Sequence, residues 1–196
     1  KSDFDAFDGV IVGQMTLGLD AFLAGLQKPL VHMDPLGDVV CSEGHEGGAS
    51  AIRGNSEGIV QAAVEFLSQR KHTRFAYVGE TANRPWSMLR GAMFAERIRR
   101  ESHDCAVFGR DGLSAGPTDD LALADWLRAL EKPVALLAAM DECAHRVISI
   151  CNAVGIRVPS EIAVLGVDND ELICNGISPT ISSIPIQSRS CGFEAA

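Results

Sequence analysis

Three charged residues follow predicted strands of this 196-residue chain, and their types suit the binding of neighbouring hydroxyl groups. Asp141 and Asp168 each follow an apolar run, and Arg90 lies on the first turn of the helix predicted after a third run. A carboxylate accepts hydrogen bonds and a forked guanidinium donates them, so each hydroxyl of a diol can bond to both. Trp86, on the same helix as Arg90, could lay an apolar face against a sugar ring. The alternative is that the arginine and the aspartates form internal salt bridges.

The segment from residue 155 to 171 joins a helix end, a buried strand and a cluster of carboxylates. Gly155 suits a helix C-cap because only glycine adopts the left-handed conformation there without steric cost, and Pro159 prevents the helix from continuing. The run IAVLGV is apolar throughout, as is typical of a parallel strand covered on both faces. Residues 168–171 follow it, at the edge where ligands bind in open α/β sheets. The alternative is that they cap the next helix and face water.

Strand and helix patterns alternate along the whole chain. Apolar runs predict strands over residues 10–13, 30–33, 75–79, 105–108, 134–138 and 162–167, and a last strand, or the start of a second crossing between lobes, at 181–184. Helical spacing predicts helices over about 17–26, 56–70, 86–101, 119–130 and 142–154. Glycine-rich residues 42–55 are predicted to form a mobile loop or a crossing between lobes. The alternation predicts βαβ units and a doubly wound α/β fold with parallel sheets.

The composition limits the class of function. The chain is 46% hydrophobic and 22% charged, which is ordinary for a soluble globular protein. A net charge of −9 without any Lys/Arg block argues against direct binding of nucleic acid. The six cysteines form no CxxC pair and show no metal-site spacing, so we expect reduced thiols in a cytoplasmic protein. No apolar run approaches the ~18 residues of a membrane span, and no signal peptide is visible.

Sequence signatures of enzymes and of cofactor sites are missing. There is no GxxxxGK[ST] phosphate loop, no GxGxxG after a strand and no GxSxG motif. The histidines are scattered and form no HExxH, so we predict neither a metal nor a cofactor. No nucleophile has a base beside it. We therefore expect that the chain is not an enzyme.

Longer pieces of the sequence resemble a known family. The stretch PVALLAAMDECAHRVISICNAVGIRVPSEIAVLGVDNDELICNGISPTISSI is similar to the effector-binding domain of the lactose/galactose repressor family. Within that family it is most similar to the sensor of xylose operon regulators, in which VDNDELIC and SP-x-(I/L)-SSI are typical. FDGVIV, KPLVHMD, FLSQRKHTRFAYVG and RPWSMLRGAMFAE support the resemblance, which covers nearly the whole chain. The ordered set of pieces is specific.

The resemblance implies a two-lobed fold of the periplasmic-binding-protein type, with doubly wound parallel sheets and a sugar cleft at the hinge. Residues 1–53 would form part of the first lobe, residues 54–184 the second lobe, and residues 185–196 a crossover back to the first. Compared with the family, about two leading strand–helix units are missing, so the first lobe is expected to be incomplete.

The resemblance also implies a set of ligand-binding residues. Arg90 matches the arginine of the family's R-x-x-G-F motif, Asp141 the aspartate of A-x-N/T-D, and Asp168 the aspartate of V-G-x-D. These positions bind ligand or line the cleft in relatives, and Trp86 and Asn55 complete the expected set.

The chain departs from the family pattern at three positions. Met93 replaces the motif glycine, Met140 stands where Asn or Thr is usual, and Asn55 stands where an acidic residue is common. These departures bear on which sugar binds.

We therefore expect the ligand-sensing domain of a bacterial sugar-responsive transcription regulator, with xylose or another pentose as effector. The expected partners are the sugar, a second copy of the chain in a homodimer, and operator DNA through a DNA-binding domain outside this chain; no membrane is expected. The sugar would favour a closed state and re-space the DNA-binding units. One alternative is a periplasmic-type sugar-binding transport protein, which an export signal would distinguish. Another is an enzyme on a similar sheet.

Overall fold

The computed structural model describes residues 7–13, 22–23, 28–33, 49–52, 54–80, 85–108 and 120–196. Of the helix predicted over residues 17–26 only Phe22 and Leu23 are described, and both are helical. The sequence also predicts a turn over residues 34–38 and a glycine-rich loop that ends at Thr118, and both lie outside the described residues. The chain divides into two compact units, residues 1–54 with 187–196, and residues 55–186.

From residue 49 onward the described strands and helices alternate, as the sequence predicts. The strands are β1 (Val10–Val12), β2 (Leu30–Met33), β3 (Ala49–Ile52), β4 (Arg74–Val78), β5 (Asp104–Val107), β6 (Val134–Ala138), β7 (Ile162–Asp168) and β8 (Ser182–Pro185). The helices are α1 (Ser56–Ser68), α2 (Pro85–Arg100), α3 (Asp120–Ala129), α4 (Asp141–Val154), α5 (Glu171–Asn175) and α6 (Ser188–Ala195). The α/β prediction is confirmed, with most boundaries within two residues of those expected.

The first unit contains a three-stranded parallel sheet in the order β1-β2-β3. Val12, Leu23 and Leu30 form its described core. Strand β3 corrects the prediction of a loop or crossing at residues 49–52, and residues 42–48 of that predicted segment lie outside the described residues. Its sequence, ASAI, has a single large apolar side chain, so the pattern is weak, and parallel pairing with β2 supplies the strand conformation.

The second unit is built on a five-stranded parallel sheet in the order β5-β4-β6-β7-β8. All side chains of β6 are buried, as are four of the five in β4. Helices α1 and α2 pack on each other, and α4 packs on both α3 and α5. Because crossovers are right-handed, α2 lies on the opposite face of the sheet from α3, α4 and α5. The helices therefore cover both faces of the central strands.

The strand order reverses direction between β4 and β6. From β4 the chain first adds β5 on one side, and then crosses to add β6, β7 and β8 on the other. In open α/β sheets the crevice outside the carboxyl ends of the strands at such a switch point is where ligands bind. A ligand site is therefore expected among the residues that follow β4 and β6.

Two helix ends in this unit follow from local sequence. The side chain of Asn55 caps α1, because its Oδ1 accepts a hydrogen bond from the backbone N–H of Gly58 at 2.8 Å. Gly155 ends α4 in the left-handed conformation with φ of 75°. The Gly155 cap was predicted from the sequence, and it delivers the chain into β7.

Gly91 lets α2 approach β4 closely, and a side chain at this position should be destabilising. A Cβ on Gly91 would clash with the buried ring of Tyr77, whose hydroxyl donates a hydrogen bond to the carbonyl of Ser87 at 2.7 Å. We expect Gly91→Ala to lower the free energy of unfolding by about 1–3 kcal/mol, as overpacking typically does. Urea denaturation of the variant and the parent protein measures the difference.

Gly192→Ala is the matched control. Gly192 is also helical, in α6, and an added Cβ there meets nothing within 4 Å. Alanine is favoured over glycine in a helix by about 1 kcal/mol, so this variant should be neutral or slightly more stable. Equal losses of stability in the two variants would contradict the assignment of close packing to Gly91.

Candidate functional site

The structure brings two of the predicted residues together at the switch point. The guanidinium of Arg90 donates a hydrogen bond from Nη1 to the carbonyl oxygen of Ala139, the residue directly after β6. Its Cζ lies 4.9 Å from the centroid of the Trp86 ring, within the range of a cation–π contact. Because α2 begins at Pro85, Arg90 lies one turn further into the helix than predicted. The buried side chain thus spans from the helix after β4 to the end of β6.

Asp141 begins α4 and is completely buried. Its Oδ1 accepts a hydrogen bond from Ser183 Oγ at 2.6 Å, while its Oδ2 accepts from the backbone N–H of Asp170 at 2.8 Å and from Cys174 Sγ at 3.3 Å. The carboxylate therefore joins four elements of the fold through donors that belong to the protein itself. We call Asp141 with these three donors the Asp141 cluster.

The position of Asp141 before the helix predicted at residues 142–154 suggests a capping role, and the structure contradicts it. Met140 occupies the N-cap position, its side chain makes no capping bond, and Asp141 is the first helical residue. The carboxylate instead extends across β7, where Gly166 leaves room for it. A Cβ on Gly166 would clash with Asp141 Oδ1.

Asp168 is the last residue of β7 and is partly buried. Its φ is 111°, and that of Asn169 is 56°, both in a region that residues other than glycine seldom adopt. The two backbone amides that follow Asp168 are fixed: Asn169 N–H donates to Ser183 Oγ at 3.0 Å, and Asp170 N–H donates to Asp141. The unusual turn is therefore supported by side chains from β8 and α4.

The surroundings of Asp168 disfavour its charged form. Burial is the largest cause, the nearby Asp141 adds to it, and together they raise the pKa of the Asp168 carboxyl to about 6. The positive charge of Arg90 lowers the pKa of Asp168, while Glu142 and Asp170 raise it further. Within the described part of the chain no hydrogen bond or ion pair reaches this carboxylate. Asp168 thus presents an acceptor that has lost water without gaining a donor from the described residues.

The fifth predicted residue, Asn55, is exposed and its side chain caps α1. Since α1 leads into β4 and runs antiparallel to it, the start of α1 lies at the carboxyl edge of the sheet. Asn55 therefore shares an edge with the other four residues, although no contact among the described residues joins it to them.

The alternative considered for residues 168–171, that they cap the next helix, holds for Asp170. Its side chain caps α5 by accepting hydrogen bonds from the backbone N–H groups of Leu172 and Ile173.

Ser183, Gly166 and Cys174 were missed as site residues. In β8 Ser182 is exposed and Ser183 is partly buried, a difference that two adjacent serines in the sequence do not reveal. Burial and the bond to Asp141 raise the pKa of the Cys174 thiol to about 11, so it serves as a hydrogen-bond donor. Cys143, Cys151, Cys174 and Cys191 form no disulfide within the described ranges.

The described ranges contain neither a metal-binding cluster nor a membrane-spanning helix. No group of three or more His, Cys, Asp or Glu side chains there could hold a metal ion. None of the helices in those ranges has the length and apolar character needed to cross a bilayer.

Comparisons with known proteins agree with this architecture. The sequence pattern of the periplasmic binding protein-like domain matches residues 64–196. The xylose operon regulatory protein of Escherichia coli is 27% identical over 195 residues, covering 96% of this chain and 48% of that protein. The chain thus spans about half the length of this relative.

Solved structures share the fold. A xylose-binding transcription activator superposes with a TM-score of 0.74 at 23% identity, over 96% of this chain and 50% of the other. A transcriptional regulator from Arthrobacter, solved in complex with lactose, superposes with a TM-score of 0.72 at 23% identity, over 97% of this chain and 67% of the other. At this identity the likeness concerns the fold. The chain belongs to the family of periplasmic binding protein-like domains, and the predicted resemblance to the effector-binding domains of the lactose/galactose repressor family is confirmed.

Proposed function

We propose that the chain is the sugar-sensing domain of a bacterial transcription regulator, and that its effector is a pentose, with D-xylose as the first candidate. The observation that carries the proposal is the Asp168 carboxylate, which is partly desolvated and receives no hydrogen bond from the described residues. It lies at the carboxyl edge of the sheet, close enough to the buried Arg90 for the guanidinium to lower its pKa. The hydroxyls of a sugar are the donors that such a carboxylate lacks.

The other residues have distinct parts in this proposal. Arg90 supplies positive charge at a position fixed by Ala139 and Trp86. Trp86 is partly exposed, and its ring offers an apolar surface to the C–H groups of a sugar. Asp141 acts indirectly, since both of its oxygens are occupied by protein donors. Asn55, exposed at the same edge, is proposed as a peripheral contact.

The sugar would act by favouring one conformation of the domain over another. The net charge of −9 argues against direct contact between this chain and operator DNA, so we propose that another part of the regulator makes that contact. We also propose that the regulator is a cytoplasmic homodimer. The names of the relatives support a regulator over a transport protein or an enzyme, since they are described as an operon regulatory protein and transcription regulators.

Asp168→Asn should weaken sugar binding. The amide keeps the size of the side chain but removes the charge, and loss of a hydrogen bond to a charged acceptor costs about 1.5–3 kcal/mol, or at least tenfold in the dissociation constant. Calorimetric titration of D-xylose, L-arabinose, D-ribose and D-galactose into the intact protein measures it. Asp125→Asn, an exposed carboxylate on α3 paired with Arg128, is the control. Unchanged affinity in Asp168→Asn would refute the site.

Sugar affinity should depend on pH near 6. A hydroxyl donates to the ionised form of Asp168, so a proton on that carboxyl competes with the sugar. Since the pKa of Asp168 is about 6 in the free protein, affinity should be constant above pH 7 and fall up to tenfold per pH unit below 6. Titrations at pH 5, 6, 7 and 8 measure the profile. The Asp168→Asn variant should lose this dependence, and a flat profile in the parent protein would contradict the proposal.

Asp168 should also reduce stability at neutral pH. Its folded-state pKa of about 6 lies above the ordinary value of 3.8, so between these pH values the native state retains a proton that the unfolded chain has released. Stability should therefore fall as pH rises from about 4 to about 6. Asp168→Asn should be more stable than the parent at pH 7.5, and this gain should shrink at pH 4. Urea midpoints at both pH values test this, with Asp125→Asn expected to show no such trend.

A further inference from the structure

We propose that Ser183 is a positioning residue for sugar recognition, because its hydroxyl, bound between Asp141 and the Asn169 amide, fixes the backbone turn that carries Asp168. The proposal rests on the function proposed above for Asp168. It concerns a residue that makes no contact with the sugar in that proposal and acts through the turn alone.

The hydroxyl of Ser183 completes a closed set of hydrogen bonds. Its Oγ donates to Asp141 Oδ1 at 2.6 Å and accepts from the backbone N–H of Asn169 at 3.0 Å. The next amide, that of Asp170, donates directly to Asp141 Oδ2 at 2.8 Å. The two consecutive amides after Asp168 are therefore bound to the same carboxylate, one of them through Ser183.

These bonds are needed because the turn has few other supports. Asp168 and Asn169 both have positive φ values, which disfavour non-glycine residues. In the β7–β8 ladder Asp168 lies opposite Pro185, which has no N–H to donate. Without the Ser183 hydroxyl the Asn169 amide would lose its acceptor and the turn could relax toward common backbone conformations, which would move the Asp168 carboxylate.

Gly166 explains why Ser183, and not its neighbour Ser182, forms the hydrogen bond to Asp141. Ser183 lies opposite Gly166 in the ladder, and the missing Cβ at Gly166 lets the Asp141 side chain pass over β7 to reach the hydroxyl. Ser182 lies opposite Leu165 and is exposed. The two adjacent serines thus form a natural pair of test and control.

Hydrogen exchange tests the geometry without any ligand. We expect Ser183→Ala to speed exchange of the Asn169 and Asp170 amides by about tenfold in the intact protein, measured by mass spectrometry of peptides that span residues 168–174. Ser183→Thr keeps the hydroxyl and should restore slow exchange, and Ser182→Ala should leave it unchanged. Unchanged exchange in Ser183→Ala would overturn the proposal. So would faster exchange spread evenly over residues 55–186, which would indicate a general loss of stability.

Binding of D-xylose tests the consequence. With the parent protein binding the sugar, Ser183→Ala should bind about tenfold more weakly, Ser183→Thr should recover the affinity, and Ser182→Ala should match the parent. The pH midpoint of affinity in Ser183→Ala should move below that of the parent, because a relaxed Asp168 is better hydrated. Equal affinities in the parent and Ser183→Ala would overturn the positioning role even where exchange increased. Absence of binding by the parent would count against the proposed function, while the exchange result would still decide whether Ser183 fixes the turn.

Discussion

The second unit depends on one buried carboxylate whose hydrogen bonds are all made within the protein. Removing a carboxylate from water costs several kcal/mol unless donors replace the lost solvation. Asp141 receives a hydroxyl, a backbone amide and a thiol, and these donors come from β8, from the turn after β7 and from α5. Because each donor lies on a different element, satisfying this one side chain fixes the end of β6, the end of β7 and the start of β8 relative to one another.

The fixed position of Asp141 has an electrostatic effect on Asp168. Two carboxylates at one strand edge repel each other, and Asp141, with its protein donors, raises the pKa of its neighbour. The sheet edge therefore contains Asp141, whose oxygens accept hydrogen bonds from the protein, and Asp168, whose carboxylate is available to a ligand in the proposed function. The unpaired carboxylate of Asp168 lowers the free energy of unfolding, and such destabilised residues are common in binding sites.

The parts of this architecture that could be predicted from sequence are those encoded locally. Gly155 and Asn55 act through bonds to residues a few positions away, and the apolar run of β7 identifies a covered strand by itself. Asp168 could be placed at a strand end for the same reason, and its proposed role followed from its residue type and from the resemblance.

The parts that could not be predicted depend on distant partners. The donors to Asp141 lie 29, 33 and 42 residues further along the chain, so no local pattern distinguishes a capping aspartate from a buried acceptor. The bond from Arg90 to the Ala139 carbonyl spans 49 residues. Strand β3 was missed because its short, weakly apolar sequence becomes a strand only through its pairing with β2.

The division of the chain has a consequence for the order of assembly. Residues 55–186 form one uninterrupted stretch, whereas the first unit combines residues 1–54 with residues 187–196. During synthesis the five-stranded sheet can close as soon as β8 has left the ribosome, but the first unit lacks α6 until after that point. The second unit can therefore be folded before the first unit has all of its residues, and errors in strand pairing should concentrate in β1–β3.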